Sequence, residues 1–122
     1  MSENYNETVS RWTRQIINKS LSHIEKVIYS IPAERFTQVN QPFVVAEFGC
    51  STGASSVETL DIIIKTVRSR SSQVPIIIYL NDLPDNHHAL ALQTVTDGLK
   101  PLPSNVFIYL AGCDFLQQVF PE

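Results

Sequence analysis

Two cysteines, four glycines and one tryptophan are all that the 122 residues contain of these types. Cys50 and Cys113 are too few to build a zinc cluster unaided or the disulfide framework of a small secreted domain. Basic residues are also scarce: 9 Lys+Arg stand against 12 Asp+Glu, a formal charge of -3. Such a chain lacks the positive surface that neutralises phosphates, so no nucleic-acid partner is expected. No apolar run approaches the roughly 18–20 residues of a membrane span. Residues 1–7 lack the basic and then apolar blocks of a signal peptide. No membrane partner and a reducing, cytoplasmic location are the expectations. The three histidines, His23, His87 and His88, do not form a convincing metal set, and they read as surface or satisfied structural residues. No metal is expected. What is present is a foldable globular composition, 43% hydrophobic and 17% charged, of a length that allows at most one ordinary domain.

The spacing predicts a helix over residues 7–31, with Trp12, Ile16, Ile17, Leu21, Ile24, Val27 and Ile28 on its apolar face. Asn18 or Ser20 can break it in two, and Ser22 followed by Glu25 fits a capping box for the second half. After Pro32, residues 33–41 read as a turn or short helical piece. Residues 42–48 are then nearly all apolar, as in a strand buried on both faces of a parallel sheet. A helix follows over 55–66, with Val57, Leu60, Ile64 and Val67 inward. Residues 67–72 read as a polar exit, and Lys65, Arg68 and Arg70 as a solvated helix end. A second buried strand at 75–80 stops at the turn-forming cluster of residues 81–86. A helix over 88–99 has Leu90, Leu92 and Val95 as apolar candidates, and a third strand spans 106–110. Alternating helices and strands define an α/β class with parallel strands and crossover helices.

The sharpest local feature lies between the first strand and its helix, in the residues Glu47-Phe48-Gly49-Cys50-Ser51-Thr52-Gly53. Gly49 suits a tight turn, and Gly53 suits close approach by a ligand or a helix. No Gly-Lys-Ser/Thr follows, which excludes a P-loop. Ser51 stands where a dinucleotide fingerprint needs its second glycine. A nucleoside ligand without a pyrophosphate remains, and S-adenosylmethionine fits. Glu47 can accept from its ammonium group while the loop backbone surrounds the methionine part. At the second strand end, Asp82 can accept from both ribose hydroxyls and Leu83 can lie against the adenine. At the third, Asp114 can accept from the adenine amino group and Phe115 can stack on the ring or pack beneath it. Cys50 has no neighbouring base to activate it and reads as a small loop or core residue. Simple turns and caps would account for each feature singly, but three successive strand ends offer ligand groups together.

Three stretches carry a family resemblance: PFVVAEFGCSTG at 42–53, YLNDLPDN at 79–86 and, more weakly, GCDFLQQVFP at 112–121. With them the chain resembles the N-terminal third of the plant-type salicylate/benzoate/theobromine (SABATH) carboxyl and N-methyltransferases. The resemblance implies a Rossmann-like core with a mostly helical cap, S-adenosylmethionine as cofactor and a small carboxylic acid or azole nitrogen as methyl acceptor. Dimers are common in that family, which makes a homodimer an expectation. Glu47 takes the place of the family's usual Asp, whereas Asp82 and Leu83 match the ribose and adenine residues in type. Asp114 stands where Ser is usual, followed by the matching Phe115, and His87 replaces an acid. A Tyr/Asn/Ser cluster followed by Gln normally covers cofactor and acceptor. Ser10 is the candidate for the cofactor, and Tyr5 and Gln15 are candidates for the acceptor, with Trp12 available to line its pocket.

The resulting expectation is a partial Rossmann-like methyltransferase core. Residues 1–41 would form a helical segment over the cofactor and acceptor side, and 42–122 a three-stranded core lacking further strands and the cap. No catalytic base is assigned, because a carboxylate acceptor is already nucleophilic near neutral pH. The isolated chain is expected to have negligible transfer activity. The alternatives are a non-catalytic interaction module, which would use exposed strand edges and apolar patches, and a nucleotide-binding protein of another class.

Overall fold

The computed structural model describes residues 3–114 and Leu116, with side chains from Arg11 onward except Thr13 and Ile17. The elements are α1 (Glu3–Ser30), α2 (Glu34–Thr37), β1 (Phe43–Phe48), α3 (Val57–Arg70), β2 (Ile76–Asp82), α4 (His88–Gly98) and β3 (Val106–Gly112). The three strands form one parallel sheet in the order β1-β2-β3. Phe43 pairs with Ile76 and Ile76 with Val106; six residues on, Asp82 pairs with Gly112. The strands therefore end level, and the loops that follow them emerge along one edge of the sheet.

Both crossovers step in the same direction through the sheet, so right-handed connections place α3 and α4 on one face. Burial agrees. Ile76, Ile78 and Leu80 of β2 share a core with Leu60, Ile64 and Val67 of α3 and with Ala91 and Val95 of α4. The α3 face is the one its spacing predicts. In α4 the core residues are Ala91 and Val95, whereas Leu90 is exposed, because the helix turns its small residue to the sheet. The opposite sheet face stays open: Val44, Phe48, Phe107 and Tyr109 are each 45–55% exposed. Tyr79 and Tyr109 pair there with ring centroids 5.8 Å apart.

Three expectations need correction. α1 is a single helix of 28 residues, unbroken at Asn18 or Ser20. A cap of the Ser22–Glu25 kind contributes only about 1 kcal/mol, and an unbroken helix carries Ile24 and Ile28 onto the core. The outer part of the predicted apolar face is not covered, with Trp12 69% and Ile16 62% exposed. Next, α3 continues through residues 67–70 instead of becoming an exit there.

Finally, Arg68 and Arg70 are not a solvated helix end. Arg68 donates to Val74 O at 2.6 Å, Ser104 O at 3.0 Å and Asn105 O at 3.2 Å, tying together the approaches to β2 and β3. Its partial desolvation lowers its pKa from the ordinary guanidinium value. Arg70 donates to Ile28 O at 2.8 Å, Tyr29 O at 3.3 Å and Ile31 O, and lies 4.3 Å from the Phe36 ring centroid. It thus gathers carbonyls at and just beyond the end of α1, at the negative pole of the helix dipole, one of which (Ile28 O) also accepts the Ile31 amide at 3.2 Å. Arg70→Ala is expected to lower unfolding free energy by about 2 kcal/mol, the scale of a lost hydrogen-bonded charge. Arg70→Lys should recover less than half, since an ammonium cannot present the planar fork. Urea denaturation reads both, and an unchanged midpoint in Arg70→Ala would contradict the capping role.

Candidate functional site

In open parallel sheets, ligands bind outside the carboxyl ends of the strands. A cavity of about 320 Å³ opens there, lined by Gly49 after β1, by Asn81, Asp82 and Leu83 at β2, and by Cys113, Asp114 and Leu116 after β3. Two other hollows, of about 250 and 350 Å³, lie along α1 and β1 and beside β3 and α4. No Asp or Glu lines either of them.

The loop after β1 owes its shape to three left-handed residues: Gly49 at φ +74°, Ser51 at +52° and Gly53 at +83°. The Gly49 and Cys50 amides both donate to Asn81 O at 2.9 Å, carrying the β1–β2 ladder into the loop. A Cβ on Gly49 would meet nothing within 4 Å, whereas one on Gly53 would lie 2.9 Å from Ala91 O. Of the two close approaches considered for Gly53, the structure shows the helix, α4. Cys50 is buried. Burial, followed by the charges of Asp82 and Glu47, pushes its thiol pKa up, which keeps it a neutral packing group.

Asp82 is the last residue of β2 and not part of a turn. Its Oδ2 accepts from the Ser51 amide at 2.6 Å, and its Oδ1 from the Leu83 amide at 2.8 Å. These bonds fix the carboxylate between the loop after β1 and the residue that follows β2. Leu83 is half exposed at the cavity. Asp114 Oδ1 accepts from the Leu116 amide at 3.0 Å. Glu47, the penultimate residue of β1, does not line the cavity; its Oε1 accepts from the buried Ser56 hydroxyl at 2.6 Å. The structure thus brings Asp82, Leu83 and Asp114 together with Gly49, and leaves Glu47 outside the cavity lining, bonded to Ser56.

Trp12 and Gln15 are exposed on α1. Tyr5 and Ser10 belong to the same helix, but their side chains are outside the described residues, as is Phe115. Sequence reasoning missed Asn81. It is fully buried and donates to Ala111 O and Cys113 O, both at 2.8 Å, fastening the β3 exit to β2; its Oδ1 has no partner. A polar residue at the end of a buried apolar run was the available signal. His88 also departs from the reading of surface or satisfied histidines. Both its ring nitrogens are buried without a partner, against Gly112. Among the described residues no cluster of three or more His, Cys, Asp or Glu is placed to hold a metal ion. Nor, among them, is any helix long and apolar enough to cross a membrane.

A parallel α/β sheet with carboxylates at its strand ends is a Rossmann-like architecture, and the comparisons with known proteins give it a family. The family model described as SAM dependent carboxyl methyltransferase matches residues 2–122, so the chain belongs to that family. It is similar to Methyltransferase FUS9 of Gibberella moniliformis, 28% identical over 100 residues that make up 77% of this chain and 27% of the relative. It also superposes on the solved structure titled "Loganic acid methyltransferase with SAH", with a TM-score of 0.76 at 19% identity, over 93% of this chain and 32% of that one. The chain therefore spans about a third or less of the length of these relatives. The structural likeness shows the fold, a methyltransferase-type Rossmann-like core.

Proposed function

We propose that this chain is the cofactor-binding part of an S-adenosylmethionine-dependent methyltransferase acting on a small molecule, and that the strand-end cavity holds the adenosyl group. The supporting observation is the convergence of Asp82, Leu83 and Asp114 on one cavity beside the side-chain-free Gly49. The cavity's polar groups suit the cofactor. Each Asp82 oxygen accepts one amide, and a carboxylate has roughly four acceptor sites, so capacity remains for a vicinal diol. In this reading Leu83 lies along the adenine edge, Asp114 accepts from its amino group, and Phe115 packs against the ring. The backbone of Gly49, Ser51 and Gly53 curves around the methionine part. Glu47 accepts from the ammonium with acceptor capacity left beside the Ser56 bond. Ser10 closes over the cofactor, with Tyr5, Trp12 and Gln15 toward the acceptor.

The cofactor supplies an electrophilic sulfonium methyl group. The protein's part is to bind, align and exclude water, which suffices when the acceptor is a carboxylate already ionised near neutral pH. A small carboxylic acid is the favoured acceptor class, with an azole nitrogen second. No side chain is assigned as catalytic base. The open face of Val44, Phe48, Phe107 and Tyr109 fits residues 42–122 as an incomplete core, since parallel sheets are normally covered on both faces. It equally favours a second reading, in which the chain binds a partner through that face, a homodimer included. The two free thiols suit a cytoplasmic setting.

Calorimetric titration of the folded 122-residue chain with S-adenosylmethionine tests the proposal. Saturable binding with a Kd on the order of micromolar is expected, together with negligible methyl transfer by the chain alone. Absence of saturation would leave the interaction reading in its place.

A further inference from the structure

Ser51 carries a side chain in a left-handed conformation, φ +52°. That backbone region costs about 1–2 kcal/mol for a residue with a Cβ, so its neighbours must hold it there. Two hydrogen bonds do so, one on each side of the residue. The Ser51 amide donates to Asp82 Oδ2 at 2.6 Å, and the Ser51 carbonyl accepts from Asn86 Nδ2 at 2.8 Å. Asp82 ends β2 and Asn86 lies in the turn that follows, which is itself closed: the Asn86 amide donates to Leu83 O at 3.0 Å, and the His88 amide to Asn86 O at 2.9 Å. The end of β2 and its turn therefore grip the loop after β1 like a two-point clip.

We infer that Asn86 is a positioning residue of the cofactor cradle, acting through the Ser51 carbonyl. The inference rests on the cofactor reading of the cavity. Asn86 touches neither the cavity nor, in that reading, the ligand; Asp82 does both. By fixing the Ser51 peptide, Asn86 keeps the Ser51 amide on Asp82 Oδ2, and this bond, with that of the Leu83 amide to Oδ1, holds the carboxylate of this cavity-lining residue in one rotamer. Without the clip, Ser51 relaxes toward ordinary negative φ, its amide leaves Asp82, and the carboxylate is held by the Leu83 amide alone. Preorganisation of this kind changes affinity with little effect on global stability.

The test combines Asn86→Ala, Asn86→Asp and Ser51→Gly in the 122-residue chain. Two readouts are used: amide hydrogen exchange at Ser51 without ligand, and calorimetric affinity for S-adenosylmethionine. Asn86→Ala should speed Ser51 exchange and weaken cofactor binding, each about tenfold, the scale of one hydrogen bond. The urea midpoint should hold nearly constant. Asn86→Asp should match it, because a carboxylate cannot donate to a carbonyl. Glycine adopts positive φ without penalty, so Ser51→Gly introduced into Asn86→Ala should recover a good part of the affinity. Unchanged Ser51 exchange in Asn86→Ala overturns the clip outright. Weakened binding with no rescue by Ser51→Gly overturns action through Ser51. If the parent chain binds no S-adenosylmethionine, the cofactor reading is what fails, and the exchange measurement still decides the clip by itself.

Discussion

Asp82→Ala is expected to lower the affinity for S-adenosylmethionine by about 100-fold or more. Two hydrogen bonds from ribose hydroxyls to a charged acceptor contribute about 1.5 kcal/mol each at the low end of the measured range, and 2.8 kcal/mol corresponds to 100-fold. The substitution also removes the acceptor of the Ser51 amide, so the loop around the methionine part loosens in the same step. Asp82→Asn separates the two contributions. An asparagine keeps the shape and one acceptor oxygen. If that oxygen stays on the Ser51 amide, the amide nitrogen is left facing the diol, and most of the ribose contribution is lost with the loop intact. Asp82→Asn should therefore bind at least tenfold more weakly than the parent while Ser51 exchange stays slow. Calorimetry of the parent and both variants gives the answer. A loss under about fivefold for Asp82→Ala would remove the ribose role.

Much of this architecture could be read from residue order, and the reasons are specific. Phe43-Val44-Val45 and Ile76-Ile77-Ile78 are runs typical of a doubly buried strand; the strands lie there, but β1 is not buried on both faces, since Val44 and Phe48 are about half exposed on the open side of the sheet. The helix over Leu60, Ile64 and Val67 has spacing that admits one inward face, and that face is buried. Strand ends were harder. Asn81 and Asp82 have the composition of a turn, yet both extend β2, because pairing with Ala111 and Gly112 is made by backbone groups that do not depend on the side chain. Asp82 gains its position from that extension: it leaves the sheet on the last pleat, level with Gly112.

What sequence reasoning could not supply was long-range pairing of polar side chains. Arg70 reads as solvated until the end of α1 is placed beside it, 39–42 residues away in the chain. The Ser56 hydroxyl bond to Glu47 spans nine residues across a loop whose course depends on left-handed Gly49, Ser51 and Gly53. That bond changes how the three carboxylates are understood. Asp82 and Asp114 line the shared cavity, whereas Glu47 does not and is bonded to Ser56 instead. Glu47 therefore has a supporting contact with the far end of the loop, at Ser56.

Gly49 and Gly53, four residues apart in the same loop, should separate binding from stability. A Cβ on Gly53 would stand 2.7 Å from Val95 Cγ2 and 2.9 Å from the Ala91 carbonyl oxygen, at φ +83°. The first contact can be relieved by a side-chain shift. The second is backbone in the middle of α4, so relief requires moving the helix off the loop. Adding the left-handed penalty of about 1–2 kcal/mol to an overpacking cost of about 1–3 kcal/mol gives an expected loss near 3 kcal/mol for Gly53→Ala. For a small domain of ordinary stability that is a large share of the total. Gly49→Ala meets nothing within 4 Å at φ +74°, so it should cost only the conformational penalty, about 1 kcal/mol. Its new methyl, however, enters the cavity wall, and S-adenosylmethionine affinity should fall about tenfold in a protein that still unfolds cooperatively. Urea denaturation and calorimetry on the two variants make the comparison. Equal destabilisation by both would contradict the close passage of α4 over Gly53. Full cofactor affinity in Gly49→Ala would place the ligand elsewhere than against this loop.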